Sequence, residues 1–102
     1  MIGPRWTRPA ARDFNAICDR IAQANPTAAE RTGRRLLDAV ARLKQLPEIG
    51  RPGRVFGTRE LVVSGLPYII VYNDGIRRDN IVTVLRVIHT AMLWPPHVAR
   101  KL

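Results

Sequence analysis

Apolar residues recur with two different periods along the 102-residue chain, and the change of period separates a helical part from a stranded part. Between about residues 8 and 46 they return every three or four positions, which is the spacing of one face of an α-helix. Asn25-Pro26 interrupts this pattern with a capping residue and a favoured first helical residue. We therefore predict two helices, from about Arg8 to Ala24 and from Pro26 to Leu46, that form an antiparallel hairpin.

The same spacing predicts which side of each helix is buried, and Thr7 is expected to cap the first helix. The first helix should bury Ala11, Phe14, Ile17, Cys18 and Ile21. The second helix should bury Ala29, Leu36, Leu37, Val40, Leu43 and Leu46. Polar residues of the first helix lie off its stripe and are expected to face water: Arg12, Asp13, Asp19 and Arg20.

From Arg59 onward the chain is rich in β-branched and aromatic residues, as strands are. Three strands are predicted, at Leu61–Val63, Tyr68–Tyr72 and Ile81–Ile88. The intervening segments 64–67 and 73–80 contain turn residues, so the strands should follow one another as antiparallel hairpins. A nonpolar sheet face needs a cover, which the helix hairpin can supply.

Two further segments complete the predicted order of elements. Pro4–Thr7 is expected to be a short edge strand, because proline is tolerated where a strand begins. The prolines and glycines between residues 47 and 57 should exclude regular structure from the loop after the helices. The sequence therefore predicts an α+β fold, β-α-α-β-β-β, with the helix hairpin packed on a small antiparallel sheet.

Length and composition narrow the class of protein. A chain of this length is expected to form one domain, residues 1–102, with residues 97–102 as a flexible basic tail. It has no run of 18 apolar residues for a membrane span, and Cys18 is its single cysteine. Residues 1–6 lack the apolar segment of a secretory signal, so no such signal is expected there. A lone cysteine fits a cytoplasmic protein, and we interpret it as a buried structural thiol. Without metal-ligand spacing or a phosphate-cradling loop, no cofactor is expected.

The charge of the chain points to a partner of opposite sign. Seventeen Lys and Arg residues against eight Asp and Glu give a net charge of +9 and a pI near 11.4, and fifteen of the seventeen are arginine. A field of this sign attracts polyanions or an acidic protein. Arginine in particular pairs with phosphate or carboxylate through two parallel hydrogen bonds.

The candidate binding residues lie between Gly50 and Pro95. Those singled out as target or partner contacts are Arg51, Arg54, Arg59, Tyr68, Arg86, His89 and Trp94. A second set follows the exposed side of the second helix and is either a solvated face or a docking stripe for an acidic segment: Arg31, Arg34, Arg35 and Arg42.

Several of these residues have a structural explanation beside the functional one. His89 is either a general base or a structural histidine bonded to a backbone carbonyl. Tyr68 and Tyr72 share one strand face and either pack in the core or stack on a base. Arg86 interrupts an apolar strand, so it must reach solvent or pair with a carboxylate. Trp94 either locks the C-terminus against the helices or contacts a partner.

The order of elements and five short segments resemble the RelE/ParE superfamily of toxins from bacterial toxin–antitoxin modules, and its ParE-like branch in particular. The segments that carry the resemblance are Gly50–Gly53, Gly57–Leu61, Tyr68–Tyr72, Leu85–His89 and Trp94–Pro95. The resemblance implies a toxin that arrests growth and a cognate antitoxin that binds it. It implies a homo-oligomer only within such a complex, if at all.

The two branches of this superfamily imply different activities. RelE-like toxins cleave messenger RNA on the ribosome, whereas ParE-like toxins inhibit DNA gyrase. Cleavage needs a base, an acid and cations around the phosphate, and the candidates here would be Arg51, Arg54, Arg59, Arg86 and His89. Where RelE-like chains carry an arginine after the tyrosine, this chain has Ile69, and residues 90–93 after His89 are uncharged.

Three hypotheses therefore remain open at the level of sequence. The favoured one is a gyrase inhibitor that needs no catalytic residues. The second is a ribosome-dependent endoribonuclease acting on mRNA. The third, supported by charge alone, is a nucleic-acid-binding module without catalytic activity.

Overall fold

The computed structural model describes residues 3–95, which form two α-helices and a five-stranded sheet. The elements in chain order are β1 (Arg5–Trp6), α1 (Arg8–Ala24), α2 (Pro26–Gln45), β2 (Arg51–Pro52), β3 (Arg59–Val62), β4 (Tyr68–Asn73) and β5 (Thr83–His89). The predicted α+β class is confirmed. The predicted flexible tail, residues 97–102, lies outside the described residues.

Both helices begin at the capping residues that the sequence indicated. The Thr7 side chain accepts a hydrogen bond from the Ala10 amide at 3.2 Å, and Asn25 accepts one from Ala28 at 3.0 Å. Asn25 also ends α1, since its amide donates to the Ile21 carbonyl. A one-residue link of this kind leaves the helices packed side by side.

The buried faces of the helices differ most from the predicted stripes at Ala11, Leu37 and Leu46. Ala10 is buried in place of Ala11, and Leu37 and Leu46 are each 48% exposed. Leu37 follows the buried Leu36 and is therefore rotated about 100° around the helix axis, into the groove between the two helices. Leu46 lies beyond the last residue of α2 and so has left the helical face.

The sheet is mixed, not wholly antiparallel as predicted. The strand order is β1-β5-β4-β3-β2, and the antiparallel meander of β3, β4 and β5 agrees with the sequence. However, β1 pairs with β5 in parallel, which is possible because a long helical connection separates them. The loop that was expected to lack regular structure also contributes β2, which pairs with Glu60 and Arg59 of β3.

β4 is buried on both faces of the sheet. Tyr68, Ile70 and Tyr72 join the main core under the helices. Ile69 and Val71 point the other way and pack with Ile88, Leu85 and Trp94. A strand with an unbroken apolar run is typical of burial on two sides, and within residues 3–95 the second side is covered by Leu85, Ile88 and Trp94 and not by a helix.

One helical carboxylate closes the edge of β5 beyond its short pairing with β1. Asp13 accepts hydrogen bonds from Arg86 at 2.6 and 3.1 Å and from the Val87 amide at 2.9 Å. The prediction that Asp13 faces water is therefore wrong, because the start of α1 passes alongside this edge. Of the two possibilities for Arg86, pairing with a carboxylate is the one observed, and the hydrogen bonds that Arg86 donates to Asp13 raise the pKa of Arg86.

Two further observations concern the described residues as a whole. Neither helix contains an apolar stretch that could cross a membrane. Between residues 3 and 95, His, Cys, Asp and Glu side chains do not gather in groups of three that could hold a metal ion.

We expect Asp13→Ala to lower the free energy of unfolding by about 2 kcal/mol, since it removes charge-assisted bonds and leaves the Val87 amide without its acceptor. Urea denaturation of the purified protein measures the change. Asp19→Ala is the matched control, because Asp19 lies on the same helix but is exposed. Equal stability of the two variants would contradict the role assigned to Asp13.

Candidate interaction site at the basic loop

The segment between α2 and β3, residues 47–58, is called the basic loop here. Its first part is fixed to the sheet by the hydroxyl of Tyr72, which is fully buried. This hydroxyl donates to the Pro47 carbonyl at 2.8 Å and accepts from the Gly50 amide at 2.9 Å. A Cβ atom at Gly50 would lie 2.7 Å from the same hydroxyl oxygen, so the close approach requires glycine. Burial raises the pKa of Tyr72 and keeps the group in its donating form.

Glu60 fixes the middle of the basic loop. Its side chain is 1% exposed and lies 3.0 Å from one guanidinium nitrogen each of Arg51 and Arg54. The Arg54 amide also donates to it at 2.9 Å. Burial by itself would raise the pKa of Glu60, but the hydrogen bonds from Arg54 and Arg51 outweigh that effect and lower it to about 2. The carboxylate is therefore ionised at any physiological pH.

Arg59 makes the third attachment. Its Nε donates to Asp74 at 2.8 Å and its NH1 donates to the Gly50 carbonyl at 3.0 Å. The hydrogen bond from Arg59 lowers the pKa of Asp74 and raises that of Arg59. Each of the three predicted arginines is thus held by a carboxylate, but Arg59 and Glu60 are neighbours in β3 and point to opposite faces of the sheet, so Arg59 lies apart from the pair Arg51 and Arg54.

The tip of the basic loop, residues 53–58, is a tight turn with an aromatic residue at its apex. The Gly53 amide donates to the Thr58 carbonyl at 2.7 Å, and the Thr58 amide donates to the Val55 carbonyl at 3.1 Å. Gly57 has a φ of +84°, a conformation that favours glycine. Phe56 stands at this turn with 99% of its surface exposed.

His89 lies at the opposite end of the sheet from these arginines. In the register of the sheet, Arg59 pairs with Tyr72 and His89 pairs with Tyr68. The two ends are separated by four residues of β4, or ~13 Å of strand. The structure therefore does not assemble four of the candidates for RNA cleavage, the arginines 51, 54 and 59 and His89, around one point. The fifth candidate, Arg86, is paired with Asp13.

The surroundings of His89 differ from the predicted ones. Its Nδ1 accepts a hydrogen bond from the Ala91 amide at 3.0 Å, whereas a bond to a backbone carbonyl was expected. Its ring also meets the Tyr68 ring edge-on, with centroids 5.6 Å apart. Of the two alternatives for Tyr68 and Tyr72, packing in the core is the one observed, since they are 5% and 0% exposed.

Arg86 and Trp94 are engaged with each other on the sheet face away from the helices. The Arg86 guanidinium lies 5.5 Å from the centroid of the Trp94 ring, and Trp94 packs against Ile69, Val71 and Ile88. Of the two alternatives for Trp94, a lock against the helices is not observed, because Trp94 packs on the other side of the sheet. The prediction that these two residues contact a target remains untested.

The four arginines of α2 are all exposed, as predicted, and three of them border two different grooves. Arg34 lines the helix groove, a cavity of about 470 Å³ between α1 and α2 whose floor includes Phe14, Cys18 and Leu37. Arg35 and Arg42 line the edge groove between α2 and β3, a cavity of about 250 Å³ bordered by Leu61, Val62 and Ser64. Arg31 lies on α2 outside both linings.

Cys18 is half-buried in the wall of the helix groove, not enclosed in the core as predicted. A Cβ atom at Gly33 would lie 3.2 Å from its sulfur, so the two helices are packed closely at this point. Burial, and to a smaller extent the nearby charge of Asp19, raise the pKa of the thiol. The thiol form therefore predominates at neutral pH.

Sequence reasoning missed several residues of the site. Glu60 and Asp74 hold the arginines 51, 54 and 59, and Phe56 stands at the tip of the basic loop. Glu60 carried one usable signal, since a charged residue within a short strand must pair or face water. Phe56 carried another, because an aromatic residue in a loop of glycine and arginine has no predicted core to enter.

Comparison with known proteins identifies the family to which this chain belongs. A family model described as "ParE toxin of type II toxin-antitoxin system, parDE" matches residues 5–94. "Putative toxin Y4kP" of Sinorhizobium fredii is 44% identical over 91 residues, covering 89% of this chain and 91% of that protein. "Toxin RelE2" of Caulobacter vibrioides is 41% identical over 88 residues, covering 86% and 94%.

A solved structure agrees with these relatives. "Chromosomal ParDE TA system from P. aeruginosa" contains a chain that superposes with a TM-score of 0.70 at 25% identity, over 87% of this chain and 96% of that one. Two helices beside a five-stranded mixed sheet are thus the architecture of the RelE/ParE superfamily of toxins. Within that superfamily, the chain belongs to the ParE toxin family of type II toxin–antitoxin systems.

We expect Glu60→Gln to lower the free energy of unfolding by about 2 kcal/mol at pH 7, because the buried partner of two guanidinium groups loses its charge. Glu48→Gln is the control, since Glu48 is an exposed acid in the same loop. Urea denaturation at pH 7 measures both variants. A loss of stability in Glu60→Gln no larger than that in Glu48→Gln would contradict the role assigned to Glu60.

The pH dependence gives a second measurement on Glu60→Gln. The pKa of Glu60 is lowered from 4.5 to about 2, so its stabilisation is complete above pH 4.5 and is lost as the pH falls toward 2. The loss amounts to at most about 3 kcal/mol. Glu60→Gln should therefore flatten the stability curve between pH 5 and 2 relative to the wild type.

Proposed function

We propose that this ParE-family toxin arrests growth by binding and inhibiting DNA gyrase, and that a cognate antitoxin neutralises it by direct contact. One observation carries the choice of gyrase: the loop arginines and His89 stand at opposite ends of β4. A ribonuclease needs its general base within about 3 Å of the hydroxyl that loses a proton, and its general acid equally close to the oxygen that receives one. An inhibitor of a protein needs only a fixed, complementary surface.

The electrostatics of the basic loop support the same conclusion. Arg51 and Arg54 share Glu60, and Arg59 is bound to Asp74. Donors already bound to carboxylates are poorly placed to collect the negative charge that develops on a phosphate during cleavage. Held in this way, the guanidinium groups keep a fixed geometry, which suits recognition of another protein surface.

The ribonuclease hypothesis keeps one specific support, since a relative that is 41% identical bears the name "Toxin RelE2". The hypothesis of a simple nucleic-acid-binding module is weaker than before. Its stacking surface would need exposed aromatic residues on the sheet, and Tyr68 and Tyr72 are both buried.

For the antitoxin we propose the helix groove and the edge groove as the main docking sites, with part of the basic loop also covered. Leu37 in the helix groove and Val62 in the edge groove are about half exposed and offer apolar anchors. Arg34 borders the first groove, and Arg35 and Arg42 border the second. An extended acidic segment could pair with the free edge of β3 beside Val62 while its apolar residues fill the grooves. Both proposed partners imply that the toxin acts in the cytoplasm.

The choice between gyrase and mRNA is tested with purified proteins and in cells. We expect the toxin to inhibit supercoiling by gyrase in vitro. On induction in cells, we expect it to trigger a DNA damage response while primer extension finds intact mRNA. Codon-phased cleavage of mRNA together with normal supercoiling would overturn the proposal.

His89→Ala separates the same two activities within one variant. We expect its growth arrest and its inhibition of supercoiling to stay within about twofold of the wild type, because His89 is exposed and distant from the basic loop. If His89 were a general base, the same substitution would lower the cleavage rate by roughly 10²- to 10⁴-fold. Loss of growth arrest by a folded His89→Ala protein would therefore favour the ribonuclease.

Leu37→Glu tests the helix groove as an antitoxin site. We expect affinity for the antitoxin encoded beside the toxin gene to fall at least about tenfold, because a charge would be placed in an apolar contact. Titration calorimetry measures the affinity, and inhibition of supercoiling by the free toxin should be unchanged. Ala41→Glu is the control, since Ala41 is exposed on the same helix outside both grooves. Equal affinities of the two variants would place the antitoxin elsewhere.

A further inference from the structure

We propose that Phe56 is the anchor by which this toxin docks on its target, inserting into an apolar socket of a protein whose rim carries carboxylates. The inference rests on the proposed function in one respect, namely that the target is a protein. It adds the residue that makes the contact and the chemistry of the surface that receives it.

The exposure of Phe56 is the first observation. Its side chain is 99% exposed, whereas Leu93, the next most exposed large apolar residue between residues 3 and 95, is 59% exposed. Burial of a phenylalanine in an apolar site is worth about 1.5–3 kcal/mol. The fold gains none of this, so the whole amount is available to a partner.

The rigidity of the tip is the second observation. The turn is closed by hydrogen bonds between Gly53 and Thr58 and between Thr58 and Val55. Asn73 of β4 binds the Gly57 carbonyl at 3.3 Å, which ties the tip to the sheet. A partner therefore binds Phe56 without first ordering the loop, and such preorganisation increases affinity.

The charges beside Phe56 define the rim of the socket. The Arg51 and Arg54 side chains remain 54% and 45% exposed although each is bound to Glu60. Carboxylates on a partner can pair with the exposed parts of these two side chains while the socket of the partner buries the Phe56 ring. Aromatic residues and arginine are the types that contribute most to binding energy at protein interfaces.

The same residues favour a protein over a nucleic acid as the occupant. Two arginines and one glutamate leave a local charge of only +1, and Glu60 stays ionised because its pKa is about 2. A single-stranded nucleic acid is bound by a more strongly positive groove with successive aromatic platforms. The tip, residues 53–58, has one aromatic residue.

Phe56→Ala is the direct test. Because the side chain is exposed, the thermal midpoint should stay within about 1 °C of the wild type, and loss of function cannot be attributed to unfolding. We expect at least about a 30-fold weaker inhibition of supercoiling, the loss typical of a dominant interface residue. Growth arrest on induction should be lost in parallel, while affinity for the antitoxin should change by less than about threefold.

Two further variants sharpen the comparison. Phe56→Trp should keep inhibition within about fivefold, because it retains an aromatic anchor. Leu93→Ala removes an apolar side chain that is 59% exposed after β5, outside the basic loop, and it should leave inhibition unchanged. An equal loss in Leu93→Ala and Phe56→Ala would overturn the assignment of one anchor residue.

The remaining outcomes separate this inference from the proposed function. If Phe56→Ala arrests growth like the wild type, the anchor is overturned whether or not gyrase is the target. If the wild type does not inhibit gyrase but growth arrest still requires Phe56, with mRNA intact, the anchor stands and gyrase is replaced by another protein. If Phe56→Ala instead abolishes binding of a fluorescent single-stranded oligonucleotide and inhibits gyrase normally, the protein socket is overturned.

Discussion

The buried carboxylate of Glu60 is the interaction on which the proposed working surface depends. Without it, Arg51 and Arg54 would be two flexible cations on a loop of prolines and glycines. With it, they are fixed to β3, and the backbone of Arg54 is fixed with them. Taking Glu60 out of water costs free energy that the two guanidinium groups must offset. That the offset is complete is evident from a pKa of about 2, well below the ordinary 4.5.

Other ion pairs of the structure likewise hold one element against another. Asp13 of α1 closes the edge of β5 through Arg86, and Asp74 holds Arg59. Ion pairs of this kind hold the arginine side chains of β3 and β5 in fixed positions. A catalytic site requires the reverse, namely charged groups that converge on one point and remain partly unsatisfied. The net charge of +9 is therefore better explained by long-range attraction of acidic partners than by chemistry at one centre.

Local signals in the sequence were sufficient for most of the fold. Asn25-Pro26 and Thr7 fixed the helix ends through capping, which depends on neighbouring residues alone. The direction of β1 could not be predicted, because a two-residue strand has no pattern that selects its partner. The contacts of the site were harder to predict, because they join residues that are far apart in the chain. The arginines were identifiable from their type, but Asp13 meets Arg86 across 73 positions, and such a contact exists only in the folded chain.

The separation of the two proposed binding surfaces constrains how an antitoxin can neutralise this toxin. The linings of the helix and edge grooves contain no residue of the basic loop. The loop itself is held rigidly by Tyr72, Glu60 and Arg59, so a ligand in the grooves has little means of altering its shape. Groove contacts can thus supply affinity without blocking the tip. Neutralisation then requires an acidic stretch of the antitoxin to extend over Arg51 and Arg54, where it would occupy the positions proposed for the carboxylates of the target.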